Sequence, residues 1–145
     1  MIREYKAEDL TQLLIYGKAF WLDSPYFEMG MEYDPEAVAD MVLELAEKHY
    51  LRVYEVQGEI VGFIGIAITP LPFAPTYTMA KEMFFFVHPL NRGSVGQQLL
   101  LQAEADVEKW ADIICFGDMA TSKDMSEYYA KNGYSHSEST YTKEL

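Results

Sequence analysis

The sequence predicts a single α/β domain, a mixed central sheet flanked by about four helices, and three observations carry that expectation. Residues 83–101 pass from an apolar, aromatic run through a proline and two glycines into a helix-forming segment, which reads as strand, turn, helix. Two further apolar runs are separated only by Gln57-Gly58, the signature of an antiparallel hairpin. Ahead of them lie two segments with apolar residues at helical spacing. Hairpins and a strand-to-helix crossover in one chain imply a sheet that is neither purely parallel nor purely antiparallel.

The elements follow in order. Residues 2–6 form a first strand, and Asp9 stands near the start of a helix carrying Leu10, Leu13, Leu14, Gly17 and Phe20 at core spacing. Residues 23–34 form a loop containing Pro25. A second helix opens at Pro35, with Val38, Met41, Val42, Leu45 and Ala46 on one face. Strands at 50–56 and 60–68 flank the Gln57-Gly58 turn. Residues 71–76, crowded with proline, form a loop before the strand that carries Glu82. A third long helix presents Leu99, Leu100, Ala103, Val107 and Trp110; a strand at 112–116, a short helix at 122–131 and a C-terminal strand complete the chain. Short connections leave no linker, so residues 1–145 are read as one domain.

Composition narrows the function classes. Half of the 145 residues are apolar, ample for one core, and no apolar run is long enough for a bilayer span. With no signal-peptide pattern at Met1, a cytoplasmic location is expected, with no membrane partner. Cys115 is the only cysteine, so the chain offers neither an internal disulfide nor a thiol metal site; His49 and His136 lie in no metal-ligand spacing, and no metal is expected. The net charge of −12 disfavours nucleic acid, whose phosphates require Lys and Arg, and favours cationic partners. The same charge also serves solubility alone.

The turn between Val87 and Leu99 is the first candidate site. A helix start leaves backbone N–H groups unpartnered at the positive end of its dipoles, and anions bind there. Gly93 and Gly96 let a phosphate approach the main chain, and Arg92 adds a positive charge. A glycine-bearing turn that binds nothing is the plain alternative. Two phosphate-binding patterns are excluded: Gly96 is followed by Gln97-Gln98 rather than Lys and Ser or Thr, and the turn lacks the three glycines of a dinucleotide fingerprint.

Val87-His88-Pro89 followed by Arg92-Gly93-Ser94-Val95-Gly96 resembles the acetyl-CoA motif of the GNAT superfamily of N-acetyltransferases, Val-x-Pro then Q/R-x-x-G-x-G/A. The motif is one residue short, so that Asn91 takes the place of its leading Gln or Arg and Ser94 that of its first glycine. Tyr129-Ala130-Lys131-Asn132-Gly133-Tyr134 is similar to the family's Y-x-K-x-G-F/Y, and residues 1–10 to its first strand and helix start. Ser24-Pro25-Tyr26-Phe27 and Tyr141-Thr142-Lys143-Glu144-Leu145 resemble a compact subgroup of small bacterial and phage-type members.

The resemblance implies a GNAT-like acyl-CoA N-acyltransferase fold in which acetyl-CoA fills a wedge beside the strand carrying Phe85, Phe86 and Val87, whose main chain binds the pantetheine arm. It implies coenzyme contacts at Arg92, Gly93, Ser94, Val95, Gly96, Gln97 and Ser122. Tyr129 would protonate the departing thiolate, although among eleven tyrosines packing is the ordinary role. Glu82 would take a proton from the attacking ammonium, against the plainer role of a strand-edge charge paired with a lysine. His88 offers an imidazole nearby but sits beside the proline turn, where packing or solvent contact is the plainer role. Glu28, Glu32 and Asp34 would line the substrate side and recognise an ammonium. The expected activity is direct transfer of acetyl from acetyl-CoA to a primary amine in a ternary complex. A rival is a catalytically silent protein whose acidic surface engages a basic partner on the same fold. The acceptor, the acyl preference and the choice between monomer and homodimer are not readable from these residues.

Overall fold

The computed structural model describes residues 1–119 and 124–145. Five strands form one sheet in sequence order: β1 (Ile2–Glu4), β2 (Tyr50–Val56), β3 (Glu59–Leu71), β4 (Ala74–Val87) and β5 (Ile113–Cys115). The first three pairings are antiparallel and β4–β5 is parallel, because a helical crossover joins that last pair. Helices α1 (Leu10–Leu22) and α3 (Pro35–Lys48), with the single turn α2 (Pro25–Glu28) between them, cover one face. The crossover helix α4 (Ser94–Val107) and the short α5 (Ser126–Lys131) lie on the other.

Each face carries its own core. Leu13, Val42, Leu45, Leu51, Val53, Phe63, Phe84 and Phe86 pack under α1 and α3. Tyr50, Ile64, Ile66, Ala80, Val87, Leu99, Leu100 and Ala103 pack under α4. Tyr16 fastens α1 to the sheet by stacking on Phe86 at 4.9 Å and donating to the Ile60 carbonyl at 2.7 Å. Asp9 makes no side-chain cap on α1 but closes the 3-10 turn at Ala7–Asp9 that leads into it. Its carboxylate accepts two hydrogen bonds from Arg3, at 2.8 and 2.9 Å, and one from the Lys6 amide at 2.7 Å. Burial opposes its ionisation, but those partners outweigh burial and hold the carboxyl below its ordinary range.

Four expectations change. The 71–76 loop is a hairpin turn at Pro72-Phe73, with Leu71 opposite Ala74. Prolines are tolerated there because the β3–β4 ribbon extends past the paired ends of β2 and β5, where no sheet neighbour needs the missing N–H. Residues 23–34 include α2, which Ser24 caps by accepting from the Phe27 amide and Pro25 opens at its first position. Trp110 lies beyond the end of α4 and is 53% exposed rather than core. Residues 134–145 form no strand, since they are almost wholly exposed and carry too few apolar side chains to hold a sheet face. The Gln57-Gly58 hairpin is as expected, both residues having positive φ (51° and 83°) as a tight two-residue turn requires.

One irregularity in β4 positions the candidate site. Opposite β3, Gly65 pairs with Phe84 and Ile66 with Glu82, leaving Met83 as an extra residue. Such a bulge reverses which face later side chains occupy. Ala80 therefore belongs to the α4 core, whereas Phe84 and Phe86 belong to the α1–α3 core, although all lie an even number of residues apart.

Candidate active site

Two strands that should run together part company here. β4 pairs with β5 only through Met79↔Ile113, Ala80↔Ile114 and Lys81↔Cys115. Among the described residues no strand lies beside that edge of β4 from Glu82 to Val87, and the unpaired edge beyond the end of β5 forms a wedge. Glu82 stands at the apex, where its Oε2 accepts from the Gly117 amide at 3.1 Å. Burial pushes the Glu82 carboxyl up to about 7; the Gly117 hydrogen bond opposes this and the Asp118 charge reinforces it. Among the described residues Glu82 has no ion pair.

The wide end of the wedge meets the start of α4. A 3-10 turn at Pro89–Asn91, capped by His88 Nδ1 accepting from the Leu90 amide at 3.3 Å, hands the chain to an extended Arg92 and then Gly93. Gly93 has φ 106° and ψ −109°, a conformation open in practice only to glycine, and occupies the N-cap position. Helical bonding begins with the Gln97 amide donating to Gly93, so the amides of Ser94, Val95 and Gly96 are the orphan donors of the first turn. Gly96 has another duty. A Cβ there would lie 3.3 Å from Phe85 Cζ and 3.7 Å from Val87 Cγ2, so the missing side chain lets α4 sit close against β4. Arg92 folds back, its Nε donating to the Val87 carbonyl at 3.3 Å, and its side chain remains exposed at the mouth.

Tyr129 projects from α5 toward the same wedge. Its ring stacks on Phe116 at 6.0 Å and 5°, and packs against Tyr134 at 5.5 Å and Tyr128 at 5.9 Å. Burial raises its pKa, and the nearby charges of Glu82 and Asp118 raise it further, so the phenol keeps its proton throughout the neutral range. Tyr134 in turn donates to Glu104 Oε2 at 2.8 Å, tying the end of α5 to α4. Ser122 lies outside the described residues.

The opposite face of β4 presents a different space. A cavity of about 310 Å³ lies between α1, the start of α3 and the Met83, Phe84 and Phe86 side chains. Glu32 and Asp34 line it, but Glu28 does not and is exposed at the end of α2. Asp34 also caps α3 by accepting from the Ala37 amide at 3.1 Å, which accounts for its place before Pro35.

The structure thus brings Glu82, Tyr129, the Phe85–Val87 main chain and the residue 92–97 turn around one wedge. Sequence reasoning missed Phe116, Gly117 and Asp118, which hold Tyr129 and Glu82 in place; nothing marks them except their position just after a short strand. It also missed Trp21 and Tyr33 on the cavity wall, and their aromatic character beside an acidic loop was a usable signal.

No curated protein sequence matches the chain. Solved structures do. A transcriptional regulator from Bacillus halodurans C-125 superposes with a TM-score of 0.77 at 21% identity, covering 100% of this chain and 99% of that one. A predicted acetyltransferase from Clostridium acetobutylicum, solved with acetyl-CoA, gives 0.73 at 16% identity, with coverage of 100% and 96%. A ribosomal-protein-alanine N-acetyltransferase from Brucella melitensis gives 0.69 at 15% identity, with coverage of 100% and 99%. At these identities the likeness is one of fold. The sequence model of the acetyltransferase (GNAT) family matches residues 17–134, most of the chain and all of the wedge, and the chain therefore belongs to the GNAT acetyltransferase family.

Proposed function

We propose that this protein transfers an acetyl group from acetyl-CoA to a primary amine by direct attack in a ternary complex. The observation that carries the reading is the parting of β4 from β5 with Glu82 at its apex, Tyr129 beside it and unpartnered helix amides at its open end. The residues fit the coenzyme. Ser94, Val95 and Gly96 supply amides for a pyrophosphate, Gly93 provides the conformation that aims them, and Arg92 supplies charge on an otherwise acidic molecule. The free edge of β4 at Phe85–Val87 supplies main-chain groups for an extended amide-bearing arm.

Bound acetyl-CoA supplies the activated acyl thioester. Everything else falls to the chain. An amine arrives as an ammonium and must lose a proton before it can attack, and a carboxylate with a pKa of about 7 is suited to accept one at neutral pH. Tyr129, protonated across that range, donates its phenolic hydrogen toward the departing sulfur. Burial disfavours the charged form of both groups, and the Glu82 charge further discourages ionisation of Tyr129, so the carboxyl can exchange a proton near neutrality while the phenol keeps its own.

Coenzyme binding tests the reading directly. At acetyl-CoA about a hundredfold above its Kd, mass action stabilises the native state by about 2.7 kcal/mol, which for a chain of this size raises the melting temperature by roughly 5–10 °C. An unchanged melt at millimolar acetyl-CoA would remove the enzyme reading and favour the acidic binding protein.

A further inference from the structure

We propose that the cavity between α1, α3 and β4 holds the acceptor, and that this acceptor is a small primary amine bearing an aromatic ring. Its role as acceptor rests on reading the wedge as the acyl-transfer site; the chemistry of the occupant is argued from the cavity itself.

The cavity, at about 310 Å³, is at the small end of ligand pockets. Its floor is an aromatic array. Phe63 meets Phe84 edge-on at 5.2 Å and 72° and stacks with Phe86 at 5.9 Å and 30°. A further ring extends such an array with the same offset and edge-to-face contacts. The two amphipathic rings of the wall offer the cavity carbon rather than polar atoms. The Tyr33 hydroxyl donates to the Leu14 carbonyl at 3.1 Å, and the Trp21 indole N–H to the Met31 carbonyl at 3.3 Å. Trp21 and Tyr33 lie 6.5 Å apart, and their faces also attract a cation.

Charge completes the description. Among the described residues Glu32 and Asp34 are the only charged side chains lining the cavity, and both are acids on the same loop edge. They draw in a cation and repel an amine that also carries a carboxylate. A polyamine fits poorly, because its second ammonium would rest against phenylalanine and methionine without a hydrogen-bonding partner. Met83 is both the bulged residue of β4 and part of the cavity lining, so the cavity borders the strand position next to Glu82. An apolar body with a single cationic end matches all of these features.

The test is calorimetric titration of the protein with phenethylamine, n-butylamine and spermidine, paired with a free-thiol assay of the same amines with acetyl-CoA. Phenethylamine should bind at least about tenfold more tightly than either competitor, the gain expected when one ring is buried among others. Ala37→Phe, which adds a ring from an exposed rim position, should weaken that binding about tenfold or more while leaving the melt nearly unchanged. Glu32→Gln with Asp34→Asn should weaken it by several-fold, the second change retaining a helix-capping side chain. Spermidine binding as tightly as phenethylamine, indifference to Ala37→Phe, or no binding of phenethylamine would each overturn the proposal. The two readings fail separately. Acetyl-CoA binding with transfer only to spermidine removes the aromatic acceptor and keeps the acetyltransferase, whereas phenethylamine binding without any acetyl-CoA effect removes the acetyltransferase and the acceptor role with it, leaving the cavity an aromatic-amine site.

Discussion

The two faces of β4 make opposite use of one strand. On the α4 face the strand stands free of its neighbour, and the exposed edge is polar: main-chain groups, the Glu82 carboxyl and the Tyr129 phenol. On the α1–α3 face the same strand contributes Met83, Phe84 and Phe86 to an apolar cavity. The difference teaches that a single extra residue can separate two kinds of chemistry by the thickness of a sheet. Without the bulge at Met83, Glu82 would share a face with Phe84 and Phe86, where an ionised carboxyl would sit among rings at high cost.

The sharpest way to break the comparison is at the polar face. Tyr129→Phe retains the ring stacked on Phe116 and removes only the hydroxyl. Turnover at neutral pH should fall by about 10²–10⁴-fold, with coenzyme affinity almost unchanged and the defect shrinking at high pH, where the thiolate leaves unaided. Steady-state kinetics across pH checks this, and equal turnover at neutral pH would reduce Tyr129 to packing.

Glu82→Gln should cost on the order of 10²-fold in kcat/KM at neutral pH and abolish an acid limb centred near pH 7. It carries a stability signature of opposite sign. The folded-state pKa of about 7 exceeds the ordinary 4.5, so the folded protein binds more protons than the unfolded chain between those values, and stability falls as pH rises through that window. Gln cannot ionise but can still accept from Gly117. The variant should therefore gain stability over the wild type as pH passes from 4 to 8, by on the order of 2 kcal/mol in denaturant titrations. A wild-type advantage at pH 8 would contradict the buried carboxyl.

The smallest effect should come from the turn. Gly93→Ala places a side chain at φ 106°, at a cost of about 1–3 kcal/mol in backbone strain. Nothing lies within 4 Å of the new Cβ, so the cost should be one of conformation rather than of collision, and acetyl-CoA should bind more weakly as the amides lose their aim. Matched melts with and without the coenzyme separate the two losses.

Much of this arrangement was legible because local chemistry dictated it. Gln57-Gly58 can make only a tight hairpin, and the Val87–Gly96 segment can scarcely avoid a strand, a turn and a helix start. Glu82 and Tyr129 were singled out through a family resemblance, not through any property of a lone glutamate or tyrosine. What was hidden depended on pairing. A bulge leaves no mark in composition, so the division of β4 into two faces could not be read from alternation alone. Gly96 also has a packing duty that the sequence does not mark: its missing side chain faces Phe85, while Gly93 carries the positive φ. The C-terminal strand was expected from the order of elements along the chain, but residues 134–145 have little to bury and β5 offers a ladder of only three residues.

The overhanging β3–β4 ribbon bears on behaviour in concentrated solution. Its tip exposes Phe73 fully and Tyr77 by more than half, the sort of bare strand end onto which other chains stack. Pro70 and Pro75 have no N–H to offer an incoming strand, and the register breaks between Pro70 and Leu71, so no long regular edge is presented. With twelve net negative charges on every copy, approach is resisted at long range as well. The crowding of prolines that marks this segment in the sequence thus works as a guard against fibrous aggregation at the most exposed corner of the sheet.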